Sequence, residues 1–332
     1  MRVPFETMIS EFYRVLTKLG MPEDKARRSA QLFAESSRDG VYTHGLNRFP
    51  RYVDNIKDGT IDVNAQPVLT QQMGALARYD GCKGPGNLNA QYCMDRAMEL
   101  AEQFGIGCVA VSNTNHWLRP GAFGLQAAEK GYLAVMWTNT IPNMPPWGGK
   151  DARLGNNPIV FAVPSRQCVV LLDVAMSMFS YGKLESYARA GKELPVDGGI
   201  DSQGNITKDA GEIMKTKQPL PIGYWKGSGM SLMLDLMAAV LSGGRTTREV
   251  GELPLETELC QVFIVMKMDA FGDKEVLLDK IDATLADVKA SPALQEGAQV
   301  RWPGEGMQKV RRESLEQGVL VDEEIWQKVL GM

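Results

Sequence analysis

Histidine is scarce in this chain: His44 and His116 are the only two in 332 residues. A histidine-based metal centre is therefore not expected, because the two lie far apart and neither has an Asp or Glu at ligand spacing. The cysteines, Cys82, Cys93, Cys108, Cys168 and Cys260, are odd in number and form no CxxC pair, so neither a disulfide framework nor a zinc knuckle is indicated. They read as reduced, core-filling thiols. No apolar run is long enough for a membrane span: the longest, MSLMLDLMAAVLS at 230–242, is interrupted by Asp235. The opening MRVPFETMIS lacks the apolar centre of a secretory signal, and a cytosolic protein is expected. Positive charge is not in excess either. A net charge of −4 and a pI near 5.5 argue against nucleic-acid or anionic-membrane surfaces and leave small neutral or acidic molecules as partners. Several catalytic fingerprints are missing too. GPGNLN at 84–89 and GSGMSL at 227–232 each lack the third glycine of GxGxxG, so a Rossmann dinucleotide site is unsupported, and no P-loop, GxSxG or SxxK occurs.

The length predicts two domains, because a single hydrophobic core stops growing near about 250–300 residues. Phe5, Met8, Ile9, Phe12, Leu16 and Leu19 recur at spacings of three and four, which predicts a first helix. GMPEDKARRSAQLFAESSRDG reads as a second, and a third should begin near Leu46 or Asn47 because Pro50 is best tolerated in a first turn. After the polar connector KDGTIDVNAQPVL the texture changes. A helix carrying Ala90, Cys93, Met94, Ala97, Ala101 and Phe104 leads into the strand IGCVAVS, and YLAVMWTN, PIVFAVPS, CVVLLDVA and QVFIVMKMD are further strands with helices between several of them. The end turns helical again, through Leu278, Ile281, Leu285 and Val288, then EGMQKVRRESLEQG and VDEEIWQKVL. The fold class expected is α/β of the α+β type. Residues 1–70 and 291–332 would form one helical domain, and residues 71–290 a central domain whose sheet is covered by helices.

Three segments draw attention as chemistry. In VYTHGLNRFPRY, His44 lies just ahead of the expected third helix and Arg48 in its first turn. An imidazole titrates near neutrality and can give or take a proton, while a guanidinium beside free backbone amides can hold a carboxylate. Together they suit a small oxo acid; alone, each is equally readable as a structural histidine and a solvated arginine. NTNHWLRPGAFG follows the strand IGCVAVS, where α/β sites gather, and Asn113, Asn115 and His116 supply donors and acceptors there. In GYWKGSGMSLMLDLMAAVLSGG, Lys226 and two glycines head a helix that could accept a phosphate, with Met230, Met233, Leu234, Met237 and Leu241 expected to face inward.

Taken together, these segments carry a resemblance. THGLNRFPRY resembles the Ser-His-Gly-x-x-Arg segment of the malate/L-lactate dehydrogenase family that lacks the Rossmann fold. NTNHWLRPGAFG, MPPWGGKDARLGNNP, LLDVAMSMFSYGKLE, LPVDGG and YWKGSGMS are similar to segments of the same family, in the same order along the whole chain. The resemblance implies a homodimeric NAD(P)H-dependent oxidoreductase reducing a 2-oxo acid, with a mainly antiparallel central sheet and a non-Rossmann cofactor site. NADH is the expected cofactor, with NADPH open, and no metal is expected. It further implies His44 as the catalytic proton donor, and Thr43, Arg48, Asn115 and His116 about the substrate. The cofactor would lie along Val169, Val170, Leu171, Leu172, Asp173, Val174 and Ala175, at Trp225 and Lys226, and at Gly304, Glu305 and Gly306. Thr43 stands where the family has serine, keeping the hydroxyl and adding a methyl group. Malate, lactate, ureidoglycolate or a cyclic imino acid as substrate, or metabolite binding without catalysis, are the rival readings.

Overall fold

The computed structural model describes residues 1–332. A short strand, β1 (Arg2–Val3), precedes α1 (Phe5–Lys18) and α2 (Glu23–Arg38), which start directly after Pro4 and Pro22, where a missing N–H costs no helical bond. The α1 stripe is inward: Met8, Phe12, Val15 and Leu16 are buried, and Phe12 stacks on Phe49 with ring centroids 4.2 Å apart. Two single 3-10 turns, Tyr42–His44 and Leu46–Arg48, lead into α3 (Phe49–Lys57). The third helix thus begins later than Pro50 suggested. Arg48 is its cap rather than part of its first turn, and His44 closes a separate turn.

The central sheet is entered through the hairpin β2 (Val68–Met73) and β3 (Leu76–Asp80), so it takes in residues on both sides of position 70. Next come α4 (Gly86–Phe104), β4 (Ile106–Thr114), α5 (Gly121–Glu129), β5 (Tyr132–Thr138), β6 (Ile159–Val163) and β7 (Val170–Val174). A small lobe follows, made of α6 (Tyr181–Arg189), β8 (Gly199–Ile200), β9 (Ile206–Thr207) and α7 (Ala210–Thr216), with its own core of Leu184, Leu194, Ala210 and Ile213. The chain returns through α8 (Trp225–Ser242) and α9 (Thr247–Val250) to β10 (Leu259–Lys267), then α10 (Lys274–Ala290), α11 (Glu305–Gln317), β11 (Val319–Leu320) and α12 (Glu323–Leu330). The seven strands run in the order β2-β3-β4-β10-β5-β6-β7, and every neighbouring pair is antiparallel except β3 with β4.

Helices α4 and α5 cover one sheet face, burying Met94, Phe123, Val109, Val111 and Phe263 together; α8 covers the other, against Trp137 and Val262. The two chain ends meet, since β1 pairs with β11 and Trp326 and Val329 of α12 join Phe12, Phe33 and Phe49 in one core. No helix is long and apolar enough to cross a membrane.

Helix α8 departs from expectation. Leu234 is buried, but Met230, Met233 and Met237 face outward with Trp225, Leu232, Leu236 and Val240. The face turned to the sheet consists of small residues, Gly227, Ser231, Ala238, Ala239 and Ser242, together with Asp235, which accepts from Asn139 Nδ2 at 3.0 Å and from the Thr247 amide at 2.7 Å. Small residues let the helix approach closely, so the bulky side chains are left outside. A helix apolar all round carries no hydrophobic asymmetry from which its inner face can be read.

Candidate active site

The loop that carries His44 is held down by a glycine. A β-carbon at Gly45 would stand 2.1 Å from Ser37 Oγ and 2.8 Å from the Ser37 amide nitrogen, so only glycine lets the loop lie against α2. Ser37 Oγ in turn accepts from the Leu46 amide at 2.8 Å. This fixes the turn from which His44 projects. Its Nδ1 lies 3.0 Å from Thr43 Oγ1, a hydroxyl that can donate to a neutral ring or accept from a protonated one. The Thr43 methyl group in turn lies against the first turn of α6, since a β-carbon at Gly182 would be 2.5 Å from Thr43 Cγ2. The small lobe therefore borders the site.

The loop after β4 brings His116 to the same place. The two imidazoles lie nearly parallel, 5.8 Å between centroids and 14° between planes. His116 Nδ1 accepts from the Leu118 amide at 3.0 Å, which leaves the proton on Nε2 as a donor. Burial and the positive charges of Arg48 and Arg119 lower the His44 pKa to about 4, and burial with Arg48 and His44 takes His116 well below its ordinary value. The two rings are thus neutral in a positive field. Arg48 is itself half-buried. Burial pulls its pKa down, and the Glu256 carboxylate, 3.5 Å away, works against that.

A second strip runs along the sheet edge at β7. The Leu171 amide donates to the Pro303 carbonyl, and Gly304, at φ +90°, packs so closely that a β-carbon would stand 3.0 Å from Leu171 N and 3.1 Å from Val169 O. Gly304–Gly306 therefore opens α11 directly on the strand. Glu305 pairs with Lys289 through Oε1, while its Oε2 is buried without a partner. Beyond the other end of the strand, the Ile222 amide donates to the Met176 carbonyl, setting the head of α8 there with Trp225 66% exposed and Lys226 Nζ 5.9 Å from the centre of its ring. Val169 and Leu171 are buried, Leu172 is open to solvent, and Val174 and Ala175 lead toward the α8 head. Asp173 Oδ2 accepts from the Gly121 amide at the start of α5 at 2.9 Å. Surrounding protein raises the Asp173 pKa against the opposing effects of that amide and of Arg119.

The family model described as malate/L-lactate dehydrogenase matches residues 3–330. The chain belongs to the malate/L-lactate dehydrogenase family. It is accordingly an oxidoreductase. It is 43% identical to the 2,3-diketo-L-gulonate reductase of Escherichia coli O6:K15:H31, with all of both chains covered. Among solved structures, the malate dehydrogenase of Pyrococcus horikoshii OT3 superposes with a TM-score of 0.89 at 31% identity, covering 99% of this chain and 93% of that one. The sulfolactate dehydrogenase of Methanocaldococcus jannaschii gives 0.91 at 28%, covering 99% and 95%.

Asn115, expected about the substrate, sits in the loop that carries His116. Asn115 is buried and its side chain is fully engaged: Nδ2 donates to the carbonyls of Thr60, Lys83 and Gly84, and Oδ1 accepts from Thr257 Oγ1. These bonds shape the loop beside His116. Two charged residues that bear on His44 and Arg48 escaped sequence reasoning. Arg119 bears electrostatically on both His44 and Asp173, and its guanidinium is held by Asp39 at 2.7 Å. Its one signal in the sequence was its place between Leu118 and Pro120 in the His116 loop. Glu256 lies in GELPLETE, a polar stretch with no periodic cue, and reaches Arg48 only because of the path the chain takes into β10.

Proposed function

We propose that this chain reduces a 2-oxo acid to a 2-hydroxy acid with NADH, that its substrate is 2,3-diketo-L-gulonate, and that His44 donates the proton. The observation that carries the reading is the near-parallel pairing of His44 and His116 close to the Arg48 charge, with Arg119 bearing on both His44 and Asp173. The name of the Escherichia coli relative supports the substrate.

The β7 strip suits a dinucleotide: a buried carboxylate oxygen without a partner, a glycine at close approach, and an exposed tryptophan beside a lysine. Val169 to Ala175, Trp225, Lys226 and Gly304 to Gly306 would hold it. Glu305 Oε2 is an acceptor fitted to a ribose hydroxyl and hostile to a phosphate, which favours NADH over NADPH. When bound, the reduced nicotinamide supplies a hydride to the ketone carbon.

The rest belongs to the chain. Arg48 pairs with the substrate carboxylate, and His116 donates through Nε2 to an oxygen of the substrate. Seating an anion on Arg48 cancels part of the field that keeps His44 neutral, so substrate raises its pKa and the ring takes up the proton it will deliver. Negative charge growing on the ketone oxygen then draws that proton from His44, while Thr43 Oγ1 holds Nδ1 in either state. The outward apolar face of α8 supports a homodimer, and the location proposed is the cytoplasm.

Loss of nicotinamide absorbance against 2,3-diketo-L-gulonate, oxaloacetate, pyruvate, sulfopyruvate and a cyclic imino acid tests this. The highest kcat/KM is expected with diketogulonate. Preference for another compound replaces the substrate, and inactivity toward all five removes the reductase reading.

A further inference from the structure

Glu256 is unusual among the acids of this chain. Its side chain is only 11% exposed, yet its two hydrogen bonds, from Arg48 Nη2 to Oε2 and from the Ile141 amide to Oε1, are both 3.5 Å long, at the outer limit for such bonds. A nearly buried carboxylate normally gathers short, charge-assisted partners, as Asp39 does from Arg38, Arg119 and Arg311 at 2.7–2.8 Å. Glu256 is held toward the site all the same, because the residues after it are fastened. Thr257 Oγ1 donates to Asn115 Oδ1 at 3.0 Å, and Glu258, at φ 56°, is gripped by Arg245 at 2.6 Å and Lys83 at 3.1 Å. Acceptor capacity is thus left unused within reach of the arginine proposed to seat the substrate.

We infer that Glu256 is the specificity-determining residue for the portion of the substrate beyond the 2-oxo acid group: its carboxylate accepts hydrogen bonds from hydroxyls on that tail and rejects 2-oxo acids bearing a second carboxylate. The inference rests on the function proposed above. With substrate seated, Arg48 is shared between two anions, the substrate carboxylate and Glu256. A second substrate carboxylate beside Glu256 meets a like charge whose one ion-pair partner, Arg48, is already shared. A hydroxylated tail brings donors to lone pairs that lack them, and a site built around such bonds discriminates against compounds that leave them unmade.

The test compares 2,3-diketo-L-gulonate, pyruvate and oxaloacetate, each as substrate or, where turnover is absent, as competitive inhibitor, in the wild type, Glu256→Gln and Glu256→Asp. In Glu256→Gln the oxaloacetate-to-pyruvate ratio of kcat/KM should rise about tenfold or more, and the diketogulonate-to-pyruvate ratio should fall about tenfold, chiefly through KM. Glu256→Asp keeps the charge and should continue to reject oxaloacetate, which guards against misreading a poorly folded glutamine variant. Equal losses on all three compounds would mean that Glu256 merely props Arg48, and unmoved ratios would likewise overturn the assignment. A wild type that neither reduces nor binds any of the three sinks the reductase reading itself; wild-type turnover with unmoved ratios sinks only the role of Glu256.

Discussion

The proton transfer proposed for His44 would carry a pH signature set by that residue's environment. In the free site, burial, Arg48 and Arg119 hold His44 near a pKa of about 4. Reduction consumes the protonated ring, so kcat/KM for the oxo acid should fall as pH rises through and above about 4, while kcat, which reports the substrate-loaded site, should persist to higher pH. Parallel profiles of the two parameters would contradict the idea that substrate recharges the ring. Replacing His44 by glutamine should lower kcat by about 10²–10⁴-fold while leaving NADH affinity, read from the cofactor's fluorescence, where it was. The same depressed pKa bears on folding. Unfolded His44 accepts a proton near pH 6.5 that the folded ring refuses until about pH 4, so this residue's contribution to stability is intact above pH 6.5 and declines as pH falls toward 4.

At the scale of elements, Gly45 shows how the backbone serves the site. Gly45→Ala sets a methyl group 2.1 Å from Ser37 Oγ and against the Ser37 amide. The loop must lift from α2, and a loss of about 1–3 kcal/mol in denaturant unfolding is expected together with reduced kcat, because His44 projects from that loop. His44, Arg48 and His116 drew attention because each sits in a short segment whose residue types suggest chemistry, whereas the β7 strip was read only through the family resemblance. The helices α1, α2 and α4 and the strands β4, β5, β6, β7 and β10 were legible from periodicity and β-branched runs. What escaped depends on distant pairing: β1 with β11, the two-residue strands of the lobe, and the orientation of α8, which is apolar on both faces. Arg119, Asp39 and Glu256 escaped for a related reason. Each matters through a partner at least eighty residues away, and no local pattern encodes that.

For the whole molecule, the outward face of α8 is an apolar surface that no part of this chain covers. Met233, Leu236, Met237 and Val240 are all exposed on one helix that also bears Trp225 at its head. If two copies meet there, Met233→Glu with Met237→Glu buries two charges at the seam and should weaken association by at least about 10²-fold, seen as a shift toward monomer mass in sedimentation or light scattering. Unchanged mass would place the contact elsewhere. Within one copy, Asp39 ties the regions together. It caps α2, bonds Arg119 of the central region and Arg311 of α11, and those guanidinium groups with Arg38 outweigh burial and hold its carboxyl well below the usual range.

The small lobe leaves the sheet after Met176 and rejoins it at Ile222, and these two positions are hydrogen-bonded neighbours. Its stem therefore closes on itself like a drawstring, and the lobe's length and contents can be revised without rerouting the strand before it or the helix after it. Substrate preference can diverge there, at the wall Gly182 presents to Thr43, while His44 and its loop stay as they are.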